Sequence, residues 1–139
     1  MPSSSLKILY LITDLNIGGT EKMLYETVTH INRNEYHPII CGLKSWGVYA
    51  QKLKEKGVRV ITLNSGNNIL SLVKAIFKLR NLMKKEKICI LQTYLTQANV
   101  IGRISARLAS VPIVISSIRV MEQEKKYHLF LERMTSSLC

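Results

Sequence analysis

The chain has 139 residues, 47% of them hydrophobic, enough for one globular domain with its own core and no covalent staple. Twenty lysines and arginines against nine aspartates and glutamates give a formal charge of +11, which favours anionic partners: nucleotide phosphates, an acidic membrane surface or nucleic acid. Three widely spaced cysteines, Cys41, Cys89 and Cys139, exclude a disulfide framework and a zinc knuckle.

Cys41 and Cys89 lie in apolar runs and read as buried hydrophobes in a reducing compartment. The first five residues are polar and lack a signal peptide's charged region and cleavage site, so a cytoplasmic location is expected. Residues 6–13 (LKILYLIT) form a continuous apolar run that reads as a strand of a parallel sheet, buried on both faces. Residues 14–19 (DLNIGG) supply turn chemistry, and Thr20 is placed to cap a helix. The apolar positions of that helix, Met23, Leu24, Thr27, Val28 and Ile31, recur at helical spacing.

The unit then repeats. Residues 38–43 (PIICGL) read as a strand, 48–56 as a short helix with Gly57 as its stop, and 58–63 (VRVITL) as the next strand. A polar turn at 64–68 introduces the longest helix, 69–86. Residues 88–93 (ICILQT) form a fourth strand, 97–109 a helix, 111–117 (VPIVISS) a fifth strand, and about 122–138 a closing helix. Five alternations of strand and helix specify an α/β domain, a doubly wound parallel sheet with helices on both faces. No short-period repeat or low-complexity linker divides it, so residues 1–139 read as one domain.

In such sheets ligands bind beyond the carboxyl ends of the strands, which directs attention to the loop DLNIGGTE. Gly18 and Gly19 remove side chains where the chain turns into a helix, so a phosphate can approach the backbone and meet the helix's free amides. The plain alternative is a tight strand-to-helix turn, with Glu21 complementing the helix dipole. The spacing matches neither the dinucleotide fingerprint nor the P-loop, so hydride transfer and ATP hydrolysis lack their usual signatures.

The run LKILYLITDLNIGGTEKMLYETVTHINR, together with ILQTYLTQANVIGRISARLASVPIVISSIRVMEQEKKYHLFLERMTS, resembles the amino-terminal domain of family 4 glycosyltransferases. These are retaining enzymes built from two facing Rossmann-like domains, the GT-B fold. The resemblance implies that Gly18, Gly19 and Thr20 lie beside the diphosphate of a nucleotide-sugar donor. It implies that Tyr94 stands where relatives often carry a histidine near the reacting sugar. A phenol with an ordinary pKa near 10 does not carry protons at neutral pH as imidazole does, leaving hydrogen bonding, ring stacking or simple packing. Asn99, Arg103 and Arg119 fall at acceptor-side positions, and Gly102 is expected to permit close helix packing. The acceptor is a carbohydrate or a lipid-linked hydroxyl, and no cofactor or metal is implied.

The family's second domain, which neutralises the departing diphosphate, has no counterpart in these residues. The chain is therefore expected to be a truncated acceptor-side half, inactive alone. The helix 69–86 sets Leu72, Ile76, Leu79 and Met83 on one face and Lys74, Lys78, Asn81 and Lys85 on the other. That basic face suits peripheral contact with an anionic inner membrane surface, or is the ordinary solvated side of an α/β helix. His30, His37 and His128 share no ligand spacing, Glu122 and Glu124 read as helix-start residues, and no nucleophile elbow occurs. The rival reading is a non-catalytic α/β module that docks on an anionic membrane or a partner domain; no nucleic-acid recognition motif is present.

Overall fold

The structure, a computed structural model, describes residues 5–44 and 46–117. The expected closing helix, Arg119, Glu122, Glu124, His128 and Cys139 lie outside them. The described elements run β1 (Leu6–Ile12), α1 (Gly19–His30), β2 (Tyr36–Gly42), α2 (Val48–Glu55), β3 (Arg59–Thr62), α3 (Ile69–Glu86), β4 (Ile90–Tyr94), α4 (Thr96–Ala109) and β5 (Ile113–Ser117). The strands form one parallel five-stranded sheet in the order β3-β2-β1-β4-β5. This is the doubly wound arrangement the alternation predicts.

Alternation along β1 divides the core between two layers. Ile8, Tyr10 and Ile12 face α1 and α2, where they meet Leu24, Val28, Tyr49 and Leu53. Leu9 and Leu11 face α3 and α4, packing with Leu79, Met83, Ala98 and Ile101. Because β1 is central and covered on both sides, five of its seven residues are buried, which explains its unbroken apolar run. The edge strand β5 differs: Val114 joins the α3/α4 layer, while Ile113 and Ile115 are about half exposed.

The stops follow from left-handed backbone. Gly57 has φ of 77° and closes α2 with amide bonds from Gly57 to Lys54 O and from Val58 to Leu53 O, as its glycine predicts. Lys87 and Ser110 take the same conformation after α3 and α4 without being glycine, and their followers Ile88 and Val111 bond back to Met83 O and Ala106 O. Asn68 caps α3 by accepting from the Ser71 amide at 2.8 Å. At the amino edge of the sheet, Glu86 holds Lys7 of β1 and Arg59 of β3. Those two cations, Arg59 foremost, draw its carboxyl below the usual range against a smaller opposing effect of burial.

Several expectations need correction. Thr20 does not cap α1: the helix begins at Gly19, its N-cap is Gly18, and no side chain caps it. Thr27 is exposed and turns its hydroxyl to Met23 O, so α1 buries a narrower stripe centred on Leu24 and Val28. Cys89 is only half-buried because it precedes β4 at the amino end of the sheet, whereas Cys41 is buried and its thiol is pushed up to about 12 by desolvation. On α3 the fully buried residues are Ala75, Leu79 and Met83, with Leu72 and Ile76 partly covered.

Gly102 has the expected packing role. A Cβ there would collide with Thr93 Cγ2 of β4 at 2.5 Å and Leu11 Cδ2 of β1 at 2.9 Å. Gly102→Ala is expected to destabilise the fold by about 1–3 kcal/mol through overpacking. Urea denaturation measures this; a loss below about 0.5 kcal/mol, the range of an ordinary surface change, contradicts it.

Candidate functional site

The strand order reverses between β1 and β4. From β1 the chain winds outward through β2 and β3, then returns by α3 to β4 on the other side of β1. Helices that leave the two strands at their carboxyl ends cover opposite faces, the arrangement that in open α/β sheets places a crevice beyond the strand ends, here above Ile12 and Tyr94, which are paired in register. Two helix starts border it: that of α1, following the glycine loop, and that of α4, directly after β4.

The glycine loop is held from below. Leu15 is fully buried in the α1/α2 layer, and Asp14 accepts from the Asn16 amide at 3.2 Å. Gly47 lies against the backbone of Leu15 and Asn16 so closely that a Cβ would strike the Leu15 carbonyl, and the Tyr49 amide donates to that carbonyl at 3.0 Å. In the sequence the only local sign of this role for Gly47 is a glycine just before a helix start.

The two glycines of the loop serve different ends. Both have ordinary backbone angles, since Gly57 is the one described glycine with positive φ. At Gly18 a Cβ would run into the Glu21 carboxylate, which folds back over the helix start. At Gly19 a Cβ would meet nothing within 4 Å. Neither backbone nor packing asks for glycine at position 19, although in a helix it costs up to about 1 kcal/mol relative to alanine.

Glu21 is buried, with 8% of its surface exposed. Desolvation raises its carboxyl pKa, a backbone hydrogen bond opposes this, and the Asp14 charge adds to the rise.

On the β4 side, Tyr94 is 1% exposed, its ring stacked on Tyr10 at a centroid distance of 6.5 Å in the α1/α2 layer. The next residue, Leu95, has φ of 73° and ψ of 153°, a region almost reserved for glycine and costing on the order of 1–3 kcal/mol. Nothing in the sequence marks it. The strained turn lets α4 start directly at the strand's end, with the Asn99 amide bonding Leu95 O at 2.8 Å.

Asn99 and Arg103, one turn apart on α4, are both buried and face the carboxyl end of β5. Arg103 Nε donates to Ser116 Oγ at 2.9 Å, Thr93 Oγ1 donates to the same oxygen at 2.9 Å, and Asn99 Nδ2 donates to Ser117 O at 3.4 Å. They form a polar cluster under the β4–β5 rim, one strand away from Gly18, Gly19 and Thr20. Among the described residues no group of three His, Cys, Asp or Glu side chains is placed to hold a metal ion.

No protein-family model matches the chain. It is 37% identical over 59 residues to a galactosyltransferase of Escherichia coli that transfers from UDP-Gal to α-D-GlcNAc-diphosphoundecaprenol, a match covering 42% of this chain and 15% of that enzyme. Among solved structures it superposes on a UDP-N-acetylglucosamine 2-epimerase (TM-score 0.69, 16% identity, 98% of this chain and 40% of that one). It is equally similar to MurG from Acinetobacter baumannii (TM-score 0.69, 14% identity, 96% and 39%). HepE from Anabaena, solved with UDP, follows (TM-score 0.66, 18% identity, 96% and 35%). The chain thus has the Rossmann-like fold of one GT-B half, and it spans well under half the length of these proteins.

The raised Glu21 pKa has a consequence for stability. Because the folded carboxyl keeps its proton above the ordinary value of 4.5, the folded state binds more protons there, so stability falls as pH rises from that value through the folded pKa. Thermal melts of the wild type and Glu21→Gln between about pH 4 and 7 are expected to diverge, the variant gaining relative stability as pH rises. Parallel curves contradict the assignment.

Proposed function

We propose that this chain is the acceptor-side half of a retaining, family 4-like glycosyltransferase that moves a hexose from a nucleotide diphosphate sugar to a carbohydrate or lipid-linked hydroxyl. The observation that carries the reading is Gly19, where a side chain would meet nothing within 4 Å, at a helix start that no N-cap side chain covers and over which the Glu21 carboxylate folds. A diphosphate suits that opening: the positive end of a helix favours oxygen anions, and charge builds on the departing diphosphate in the transition state. The 37% identity to a UDP-Gal-dependent transferase supports transfer over epimerisation. In this reading Gly18, Gly19 and Thr20 contact the donor phosphates.

Asn99 and Arg103, with Arg119, form the acceptor side. Tyr94, in place of a histidine, acts from within the crevice floor: its buried ring supports the Leu95 turn, so its contribution is to position the groups above it. No metal or organic cofactor enters the scheme. A second α/β domain supplies the cation that neutralises the leaving group, and the protein works on the cytoplasmic side of the membrane.

The test is a transfer assay with UDP-hexoses and polyprenyl diphosphate-linked saccharides. The 139-residue chain alone is expected to transfer nothing, and a chain continuing through a second α/β domain to transfer sugar. Gly19→Ala in that longer protein is expected to leave stability unchanged or raised by up to about 1 kcal/mol, yet to lower kcat/KM about tenfold or more. Turnover by the short chain refutes the half-enzyme reading. Unchanged kcat/KM in Gly19→Ala refutes the phosphate seat.

A further inference from the structure

The carboxyl end of the sheet carries a second recess, over β2 and β3. Its larger lobe is an open cavity of about 310 Å³ lined by Lys44, Asn64, Ser65, Gly66 and Asn67. A smaller lobe of about 70 Å³ shares Asn64 and Ser65 with it and reaches Ser71, Lys74 and Lys78. One polar trough thus runs from the end of β2 to the first turns of α3.

Backbone contacts fix its walls. Lys44 follows β2, and its amide donates to Thr13 O at 2.9 Å, directly before the glycine loop. The Ser65 amide donates to Leu43 O at 2.7 Å, which ties the turn between β3 and α3 to the same strand end. Asn64 turns the chain there with φ of 49°, a left-handed angle that asparagine tolerates better than most residues. The Ser65 hydroxyl donates to Ser71 O at 3.4 Å, and a Cβ on Gly66 would lie 3.0 Å from Ser71 Oγ, so the turn sits closely on α3.

No Asp or Glu lines either lobe, and among the described residues Lys44, Lys74 and Lys78 have no ion-pair partner. Three such cations around one recess favour an anionic ligand. Arginine, whose planar fork matches a carboxylate, is absent from the lining; lysine meets a phosphate as a point charge. In the larger lobe the side-chain amides of Asn64 and Asn67 both donate and accept, and the Ser65 oxygen, its proton already given to backbone, accepts. That mixture suits sugar hydroxyls, and the volume is that of a small-molecule site.

We propose that this trough binds a phosphate-bearing sugar of the acceptor, with the phosphate in the smaller lobe between Lys74 and Lys78 and the pyranose in the larger one among Lys44, Asn64 and Asn67. The proposal deepens the transferase reading, on which it rests for its purpose. The trough lies two strand spacings, about 10 Å, from the switch point between β1 and β4, a distance that a short saccharide spans. Binding energy gained there, away from the reacting hydroxyl, orients that hydroxyl in the crevice. A free sugar phosphate and a saccharide linked through diphosphate present the same chemistry to the trough, and the test separates them.

Calorimetric titration of the 139-residue chain at constant ionic strength tests it, with glucose, inorganic phosphate, glucose 1-phosphate and a glucosyl diphosphate ester of a short alkyl alcohol as probes. Glucose 1-phosphate is expected to bind about tenfold or more tighter than glucose or phosphate alone, and the alkyl diphosphate tighter still. Lys74→Gln/Lys78→Gln and Asn67→Ala are each expected to weaken binding about tenfold while keeping the wild-type circular dichroism. Independently of those variants' folding, glucose 1-phosphate is expected to shift the wild-type amides of Lys44 and residues 64–67. No UDP is present, so failure here leaves donor binding at α1 standing, and failure of donor binding leaves the trough standing. Glucose or phosphate binding as tightly as the sugar phosphate, shifts confined to residues 18–20, or unchanged affinity in the lysine variant would each overturn the proposal. Tighter binding of free glucose 1-phosphate than of the alkyl diphosphate would overturn the trough's acceptor role.

Discussion

At Gly102 the backbone of α4 comes so close to Leu11 and Thr93 that no side chain fits between helix and sheet. That contact seats α4 over β1 and β4, the two strands between which the winding reverses, and so determines where the helix begins. With α4 drawn down, its first turn must start at the end of β4, and the chain reaches it only through the left-handed Leu95. The cost of that backbone is borne by the packing around it: Tyr94 below, buried against Tyr10, and the hydrogen bond from Asn99 above. One close approach thereby shapes one wall of the crevice.

The opposite wall rests on a second glycine contact. Gly47 presses against the Leu15 carbonyl and fixes the loop before α1, with the Leu15 side chain sunk in the core. Above that anchored base, Gly18 accommodates the folded Glu21 carboxylate and Gly19 leaves its surroundings open. The crevice is thus bounded by backbone and helix starts, with few reactive side chains. Such a site suits positioning and charge stabilisation of a polar ligand better than proton transfer by a side chain of this chain.

Much of the architecture was legible because a parallel sheet covered on both faces demands apolar runs, and β1, β2 and β4 have them. Helix stops were legible where glycine marks a left-handed residue, as at Gly57, and obscure where Lys87 or Ser110 takes that role. Gly102 was readable from its motif. Thr20 misled because a threonine before a helical pattern resembles a cap, whereas here the two glycines have already begun the helix. The strain at Leu95 left no trace, since leucine has no preference for positive φ and only tertiary packing imposes it. The exposure of Leu70, Val73 and Phe77 on α3 was hidden for a different reason: they are apolar like the core residues, and only burial separates the two faces.

In the proposed function an anionic diphosphate sits at the α1 start, between the ends of β1 and β4. Amide chemical-shift mapping of the 139-residue chain titrated with UDP tests it most directly. Shifts concentrated at Gly18, Gly19, Thr20 and Glu21 and across the crevice at Leu95 are predicted, with loss of the response in Gly19→Glu. Saturable shifts confined to another surface, or an unchanged response in that variant, would contradict the account.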